Sequence, residues 1–135
     1  MINNSMYEKF GQFTDGKWHK SSDNGTYEVI NPSNEEVLGK ASKATHIDVE
    51  KALKSASEGL ERWKKTTPWK RSYIIRKIAD RMREKQDVLA KWMTLEVGKP
   101  FAEAKGEVSG AADIFEWNAE ETKRIYGQTV ESRFE

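Results

Sequence analysis

Met93-Thr94-Leu95-Glu96-Val97-Gly98-Lys99-Pro100-Phe101-Ala102-Glu103-Ala104-Lys105-Gly106-Glu107 reads as the end of one helix, a stop, and the start of another. Leu89, Trp92, Met93 and Leu95 mark the apolar positions of a helix from about Gln86 to Val97. Gly98 followed by Lys99-Pro100 ends it, because glycine reaches the left-handed conformation and proline resists a helix interior. Proline is accepted in a first turn, so the next helix begins near Pro100. Its apolar set is Phe101, Ala104, Val108, Ala111, Ala112, Phe115 and Ala119, with Glu103, Glu107, Glu116, Glu120, Lys123 and Arg124 mostly on the other side. With Gly127 as its stop, it is expected to run for about 26 residues, or roughly 40 Å. A helix of that length calls for a large scaffold to lie on.

Upstream, Thr66-Thr67-Pro68 separates two further helices. The later one, from Pro68 to about Arg83, is expected to bury Trp69, Tyr73, Ile74 or Ile75, Ile78 and Met82. The earlier one carries Val49, Ala52, Leu53, Ala56, Leu60 and Trp63 on one face, with Thr45 as cap and Asp48 near the positive end of the macrodipole. Ahead of the helices the period changes to that of strands. Asp15-Gly16, between Phe13-Thr14 and Lys17-Trp18, tolerates positive φ at both central turn positions and predicts a tight hairpin. Thr26 to Ile30 predicts a strand ended by Asn31-Pro32, Val37 to Ala41 a short one after it, and Gln128 to Ser132 the beginning of another. The expected class is α+β: a β-hairpin and short strands followed by three to four amphipathic helices, with residues 1–11 a flexible terminus and 12–135 one incomplete domain.

Composition narrows function by exclusion. The 135 residues suit a single domain, and 10% aromatic residues with five tryptophans supply apolar bulk. Counting the nine glycines and leaving out the four tyrosines, the apolar share is roughly 40%, below the roughly 45–50% of typical globular domains. The expected core is therefore lean, as in a segment that completes its burial against something else. With 23 basic and 22 acidic side chains there is no field of one sign to gather nucleic acid or anionic lipid, and no run of about 20 apolar residues to span a bilayer. Neither nucleic acid nor membrane is expected as a partner, and the default location is cytoplasmic. The chain has no cysteine, which removes disulfides, thiolate zinc sites and thiol chemistry.

Few constellations remain. His19 and His46 have no second imidazole at helical spacing and are expected at the surface. Glu35-Glu36 and Glu120-Glu121 sit among mixed charges that suit solvated faces better than acid–base pairs. No GxGxxG or GxxxxGK[ST] phosphate loop occurs. Gly106 and Gly110, four apart in a helix, predict a close helix contact within a core.

From about Gln12 onward the chain resembles the amino-terminal quarter of the NAD(P)-dependent aldehyde dehydrogenases. The matching landmarks are Asp15-Gly16-Lys17-Trp18, Val29-Ile30-Asn31-Pro32 with Glu36-Val37, Asp48-Val49-Glu50-Lys51-Ala52 and Trp63. Further on come Leu95 to Pro100, Ala102 to Glu107, and Glu116-Trp117 through Lys123-Arg124-Ile125-Tyr126-Gly127. The Met-Thr-Leu-Glu, Ala-Glu-Ala-Lys-Gly-Glu and Lys-Arg-Ile-Tyr-Gly runs are similar to the succinate-semialdehyde type, and neighbouring groups share much of them.

The resemblance implies part of an α/β fold of Rossmann type and oxidation of an aldehyde to a carboxylate, through a thiohemiacetal and hydride transfer to NAD or NADP. It places the nucleophilic cysteine, the glutamate base and the cofactor-binding glycines in polypeptide beyond these residues, so no catalytic or cofactor-binding residue is assigned here. It implies three partners: the remainder of a roughly fourfold longer dehydrogenase chain, an aldehyde substrate, and further copies in a homo-oligomer. It also implies a monovalent cation held by the backbone around Val29 and Ile30 and by Glu96, where many relatives have aspartate. Read by itself, Glu96 is as well explained as a capping or salt-bridging acid. Val108, Ala111 and Phe115 fall near the substrate tunnel by resemblance and in a packed core by periodicity. The isolated chain is expected to be inactive and to self-associate or order only in part. A different class, a non-catalytic helical interaction module, uses the same apolar faces to dock a partner.

Overall fold

A computed structural model describes residues 7, 10–128 and 132. Strands β1 (Gln12–Thr14) and β2 (Lys17–His19) pair antiparallel with Phe13 opposite Trp18, and Asp15 and Gly16 between them take φ of 52° and 73°. That is the turn the Asp-Gly pair predicts. Strands β3 (Thr26–Ile30) and β4 (Val37–Ser42) form a second antiparallel pair, with Val29 opposite Gly39 and an irregularity between Val29 and Ile30. The connecting loop folds on Asn31, which is buried and whose side-chain oxygen accepts from the Ser33 N–H at 2.9 Å. The two hairpins are joined through Ser42, whose hydroxyl accepts from the backbone N–H of Ser21 at 3.0 Å.

Four helices follow: α1 (His46–Lys64), α2 (Pro68–Glu84), α3 (Gln86–Val97) and α4 (Phe101–Glu121), with a 3-10 turn over Thr122–Arg124. Each start and stop has a local cause. Thr45 and Asp48 form a reciprocal capping box at α1. Thr67 caps α2 ahead of Pro68, and Gly98 ends α3 in the left-handed conformation at φ 78°. The last helix is shorter than the sequence predicts. It closes at Glu121, 21 residues long, because the chain tightens into the 3-10 turn, and Gly127 takes its positive φ of 75° outside any helix. The strand expected over Gln128 to Ser132 falls largely outside the described residues, and Gln128 and Ser132 themselves are not in a strand.

Helix α4 packs against both α2 and α3. The contact lines are built from small side chains: Ala79 on α2, Ala90 on α3, and Ala104, Val108, Ala112 and Ala119 on α4 are buried. No large side chain is fully buried among the described residues. The expectation that α2 buries Trp69, Tyr73, Ile74 and Ile78 is therefore corrected. Trp69 is 73% exposed and Tyr73, Ile74 and Ile78 also face outward, while Ser72 and Ala79 make the close contact with Ile75 and Met82 half-buried beside them. On α4, Phe101 and Phe115 are likewise exposed. Hydrophobic periodicity finds the face of a helix that wants cover, and among the described residues of α2, α3 and α4 that cover falls mainly on small side chains.

The Gly106–Gly110 pair is a second correction. A Cβ added at either glycine would meet nothing within 4 Å, so no helix approaches there. The two glycines continue into exposed Ile114 and Trp117, a stripe along α4 turned away from α2 and α3.

Candidate functional site

The end of α3 and the β3–β4 hairpin form a seam. Gly98 lies so close to the loop after β3 that a Cβ there would sit 2.9 Å from Pro32 Cγ and 3.1 Å from Ser33 Oγ. Farther along, the Tyr7 ring lies over Gly39 of β4, where a Cβ would come within 2.4 Å of the ring. The same ring meets Trp92 of α3 edge-on, with centroids 4.9 Å apart and planes at 88°. Its hydroxyl donates to Glu96 Oε1 at 2.6 Å. Burial first, and then this bond to a carboxylate, push the Tyr7 phenol above the ordinary tyrosine range.

Of the residues expected to hold a monovalent cation, Val29 and Ile30 stand at the irregular end of β3 and Glu96 two residues before Gly98. Their elements are neighbours across the seam, through the Gly98–Pro32 approach and through Tyr7, which touches both Glu96 and the β4 partner of Val29. Glu96 makes no salt bridge and caps no helix among the described residues; its partner among them is the Tyr7 hydroxyl. Sequence reasoning missed Tyr7, which lies in the stretch read as a flexible terminus. Tyr7, Phe10 and Gly11 of that stretch all have close partners, and the glycine at position 39 is the one sequence signal of a ring against β4.

The most strongly perturbed acid is Asp48. Its carboxylate accepts from the backbone N–H groups of Thr45 at 2.9 Å and Ser22 at 3.1 Å, and from the hydroxyls of Thr45, Ser21 and Ser22. These bonds, the Thr45 backbone N–H foremost, hold it well below the usual carboxylate range. Every oxygen is engaged, so Asp48 serves as a knot tying the 21–25 turn to the start of α1 and is no proton acceptor for chemistry.

A second charged array crosses α2 and α4. Arg76 pairs with Glu116 at 2.6 Å and with Glu120, and Arg83 pairs with Asp113 at 2.8 Å and Glu116 at 2.6 Å. Glu120 also receives Lys123, whose ammonium lies 5.1 Å from the centre of the Trp69 ring. Arg83 lowers the Glu116 carboxyl and Lys123, followed by Arg76, lowers that of Glu120. The array fixes the antiparallel register of two helices that share only small side chains. Glu120 and Glu121 are thus ion-paired surface acids, as their mixed surroundings predict. His19 and His46 are exposed, His46 lying 3.6 Å from Glu50.

No group of three or more His, Asp or Glu among the described residues is placed to hold a metal ion. Among the described residues both sheets are two-stranded and antiparallel, and Gly106 and Gly110 lie inside α4, away from any helix N-terminus. No helix among them is long and apolar enough to cross a membrane.

Comparison with known proteins places the fold. Residues 18–135 match the model of the aldehyde dehydrogenase family. The chain belongs to that family. Among curated aldehyde dehydrogenases it is 41% identical over 118 residues to glutarate-semialdehyde dehydrogenase of Pseudomonas aeruginosa, covering 87% of this chain and 24% of that one. It is 40% identical over 129 residues to the NADP(+) succinate-semialdehyde dehydrogenase GabD of Escherichia coli, covering 96% and 27%. Among solved structures, an NADP-dependent enzyme of Escherichia coli superposes with a TM-score of 0.87 at 41% identity, covering 93% of this chain and 27% of that one. Betaine aldehyde dehydrogenase of Staphylococcus aureus, solved with NAD+, superposes with a TM-score of 0.88 at 30% identity, covering 92% and 26%. The chain thus spans about a quarter of the length of the dehydrogenases it matches, and its hairpins and helices are the amino-terminal part of their fold.

Proposed function

We propose that these residues form the scaffold quarter of an NAD(P)-dependent dehydrogenase that oxidises a small dicarboxylic semialdehyde to the diacid. The observation that carries this reading is the pairing of a family match over residues 18–135 with three helices, α2, α3 and α4, whose described buried apolar residues are alanines and Val108. The exposed Ile74, Ile78 and Leu89 on α2 and α3, and Ile114 and Trp117 on α4, are the faces that the remaining three quarters of such an enzyme cover. The substrate class follows the semialdehyde dehydrogenases among the relatives. In this reading the nucleophile and the nucleotide cradle are supplied by the rest of that enzyme, which the absence of cysteine from this chain supports. These 135 residues by themselves then have no dehydrogenase activity, and the complete enzyme works in the cytoplasm as a homo-oligomer.

Within this reading the seam has a role. The backbone oxygens at Val29 and Ile30 and the Glu96 carboxylate hold a monovalent cation, for which hard oxygen ligands are suited. Among the described residues the Tyr7 hydroxyl engages Oε1 of Glu96, and Oε2 accepts no hydrogen bond. The test of the whole reading is a chimera in which this chain replaces the corresponding quarter of the E. coli succinate-semialdehyde dehydrogenase. Succinate-semialdehyde-dependent reduction of NADP+ by the chimera supports it. Turnover by the 135-residue chain alone, shown intact by mass spectrometry, would overturn it.

A further inference from the structure

Where α2 meets α3, a groove of about 570 Å3 opens to solvent, lined by apolar and cationic side chains and by no acid. Ile74, Ile78 and Met82 recur every fourth residue along α2, and Leu89 of α3 adds to their apolar row. Lys77, Arg81 and Lys85 recur at the same interval three positions on, so a basic row runs beside the apolar one. Each row is about 12 Å long, at roughly 1.5 Å per residue. Lys77 and Lys85 pair with no carboxylate among the described residues, Lys77 lying 4.6 Å from the centre of the Tyr73 ring. Arg81 pairs with Glu84 at 2.7 Å, an exposed contact that water and salt screen. The groove therefore keeps its positive sign.

We propose that this groove is the seat of an acidic amphipathic helix, one that carries a row of apolar side chains beside a row of Asp or Glu. The inference rests on the reading that the rest of a dehydrogenase covers this face, and it names the chemistry of the element that does so. Rows repeating every fourth residue are the ridges by which helices interlock, so a second helix meets both rows at once. A single-headed anionic amphiphile engages one of three cations spread over about 12 Å and leaves two unpaired. Covering the exposed Ile74, Ile78 and Leu89 supplies the attraction, and the basic row selects the sign of the partner.

The test uses the full 135-residue chain and a capped peptide of about 18 residues built from Leu, Ala and Glu, with one Leu row and one Glu row. Parallel peptides carry Gln or Lys in place of Glu, and dodecanoate stands for the amphiphile. Fluorescence anisotropy of the labelled peptides reads affinity, and methyl shifts at Ile74, Ile78 and Leu89 read position and follow dodecanoate. Saturable binding of the Glu peptide at these methyls is expected, weakened several-fold between about 0.05 and 0.3 M salt and about tenfold weaker for the Gln and Lys peptides. Lys77→Glu combined with Lys85→Glu, both at exposed positions, should turn the preference toward the Lys peptide, with far-UV circular dichroism checking the fold. Equal binding of the Glu and Gln peptides, or tighter binding of dodecanoate at the same methyls, overturns the inference. So does the lack of saturable binding by the unsubstituted chain, a result that needs no variant to fold. Turnover by the chimera decides the dehydrogenase reading separately. An active chimera without Glu-peptide binding removes only the acidic helix, and an inactive chimera with such binding removes only the dehydrogenase as its source.

Discussion

Replacing Gly98 with alanine tests the seam where its geometry is tightest. Gly98 sits at φ 78° and ψ 12°, its N–H donating to the Thr94 carbonyl at 2.9 Å. An L-residue with a Cβ pays roughly 1–2 kcal/mol in that conformation. The new Cβ also falls 2.9 Å from Pro32 Cγ and 3.1 Å from Ser33 Oγ, inside ordinary contact distance. Overpacking of this kind costs about 1–3 kcal/mol, and the lower end applies where a loop can yield. The sum is about 2–5 kcal/mol, which at a urea m-value of about 2 kcal/mol/M moves the midpoint down by roughly 1–2.5 M. Two companions separate the terms. Gly98→Asn keeps the clash and reduces the backbone cost, since asparagine visits the left-handed region more readily. Pro32→Ala combined with Gly98→Ala relieves the clash and should show a coupling of about 1 kcal/mol in a double-mutant cycle. Urea unfolding followed by far-UV circular dichroism reads all of these. A loss below about 0.5 kcal/mol for Gly98→Ala, or no coupling to Pro32, would mean that α3 does not end against the β3–β4 loop.

Three further outcomes follow from the same structure. The Asp48 carboxyl is depressed in the folded chain, so its contribution is present above the unfolded value of about 3.9 and is lost as pH falls below it. Asp48→Asn should flatten the loss of stability below about pH 4, read by urea midpoints at stepped pH, and an unchanged acid limb would show that the knot at α1 is not what titrates. Thr45→Ala removes the cap of α1 and should cost about 1 kcal/mol, with faster amide exchange confined to the first turn of that helix. Gly106→Ala and Gly110→Ala should each stabilise the isolated chain by up to about 1 kcal/mol, because an added Cβ meets nothing there. Made in a complete dehydrogenase, the same substitutions should destabilise if another backbone lies on that stripe, so thermal midpoints of the two contexts should move in opposite directions.

The elements were legible because their punctuation is local. Asp15-Gly16 sets a turn by its own dihedrals, Thr45 and Asp48 cap by their own side chains, and Gly98 stops α3 through its missing Cβ, so bounds and topology agree closely with the structure. The end of α4 is not legible in this way, because Gly127 has the residue type of a stop while a 3-10 turn intervenes at Thr122. Burial was legible only by half. A sequence marks Trp69, Ile78 and Phe115 as apolar, and what covers them depends on polypeptide that helical periodicity within this chain cannot supply. The Gly106–Gly110 spacing was read as a contact for the same reason: two glycines permit an approach without saying what approaches. At the seam, Val29, Ile30 and Glu96 were placed by resemblance, whereas Tyr7 joins the site through contacts 32 residues away at Gly39 and 89 away at Glu96, which no local pattern encodes.

The central claim is that this chain is the scaffold quarter of an aldehyde dehydrogenase, with its outward apolar faces made to be covered by the rest. Steady-state turnover of the chimera with the E. coli succinate-semialdehyde dehydrogenase tests it most directly. The account predicts succinate-semialdehyde oxidation by the chimera and none by the isolated 135 residues. A chimera that folds and assembles yet binds neither nucleotide nor substrate, or an isolated chain that turns over, would contradict it.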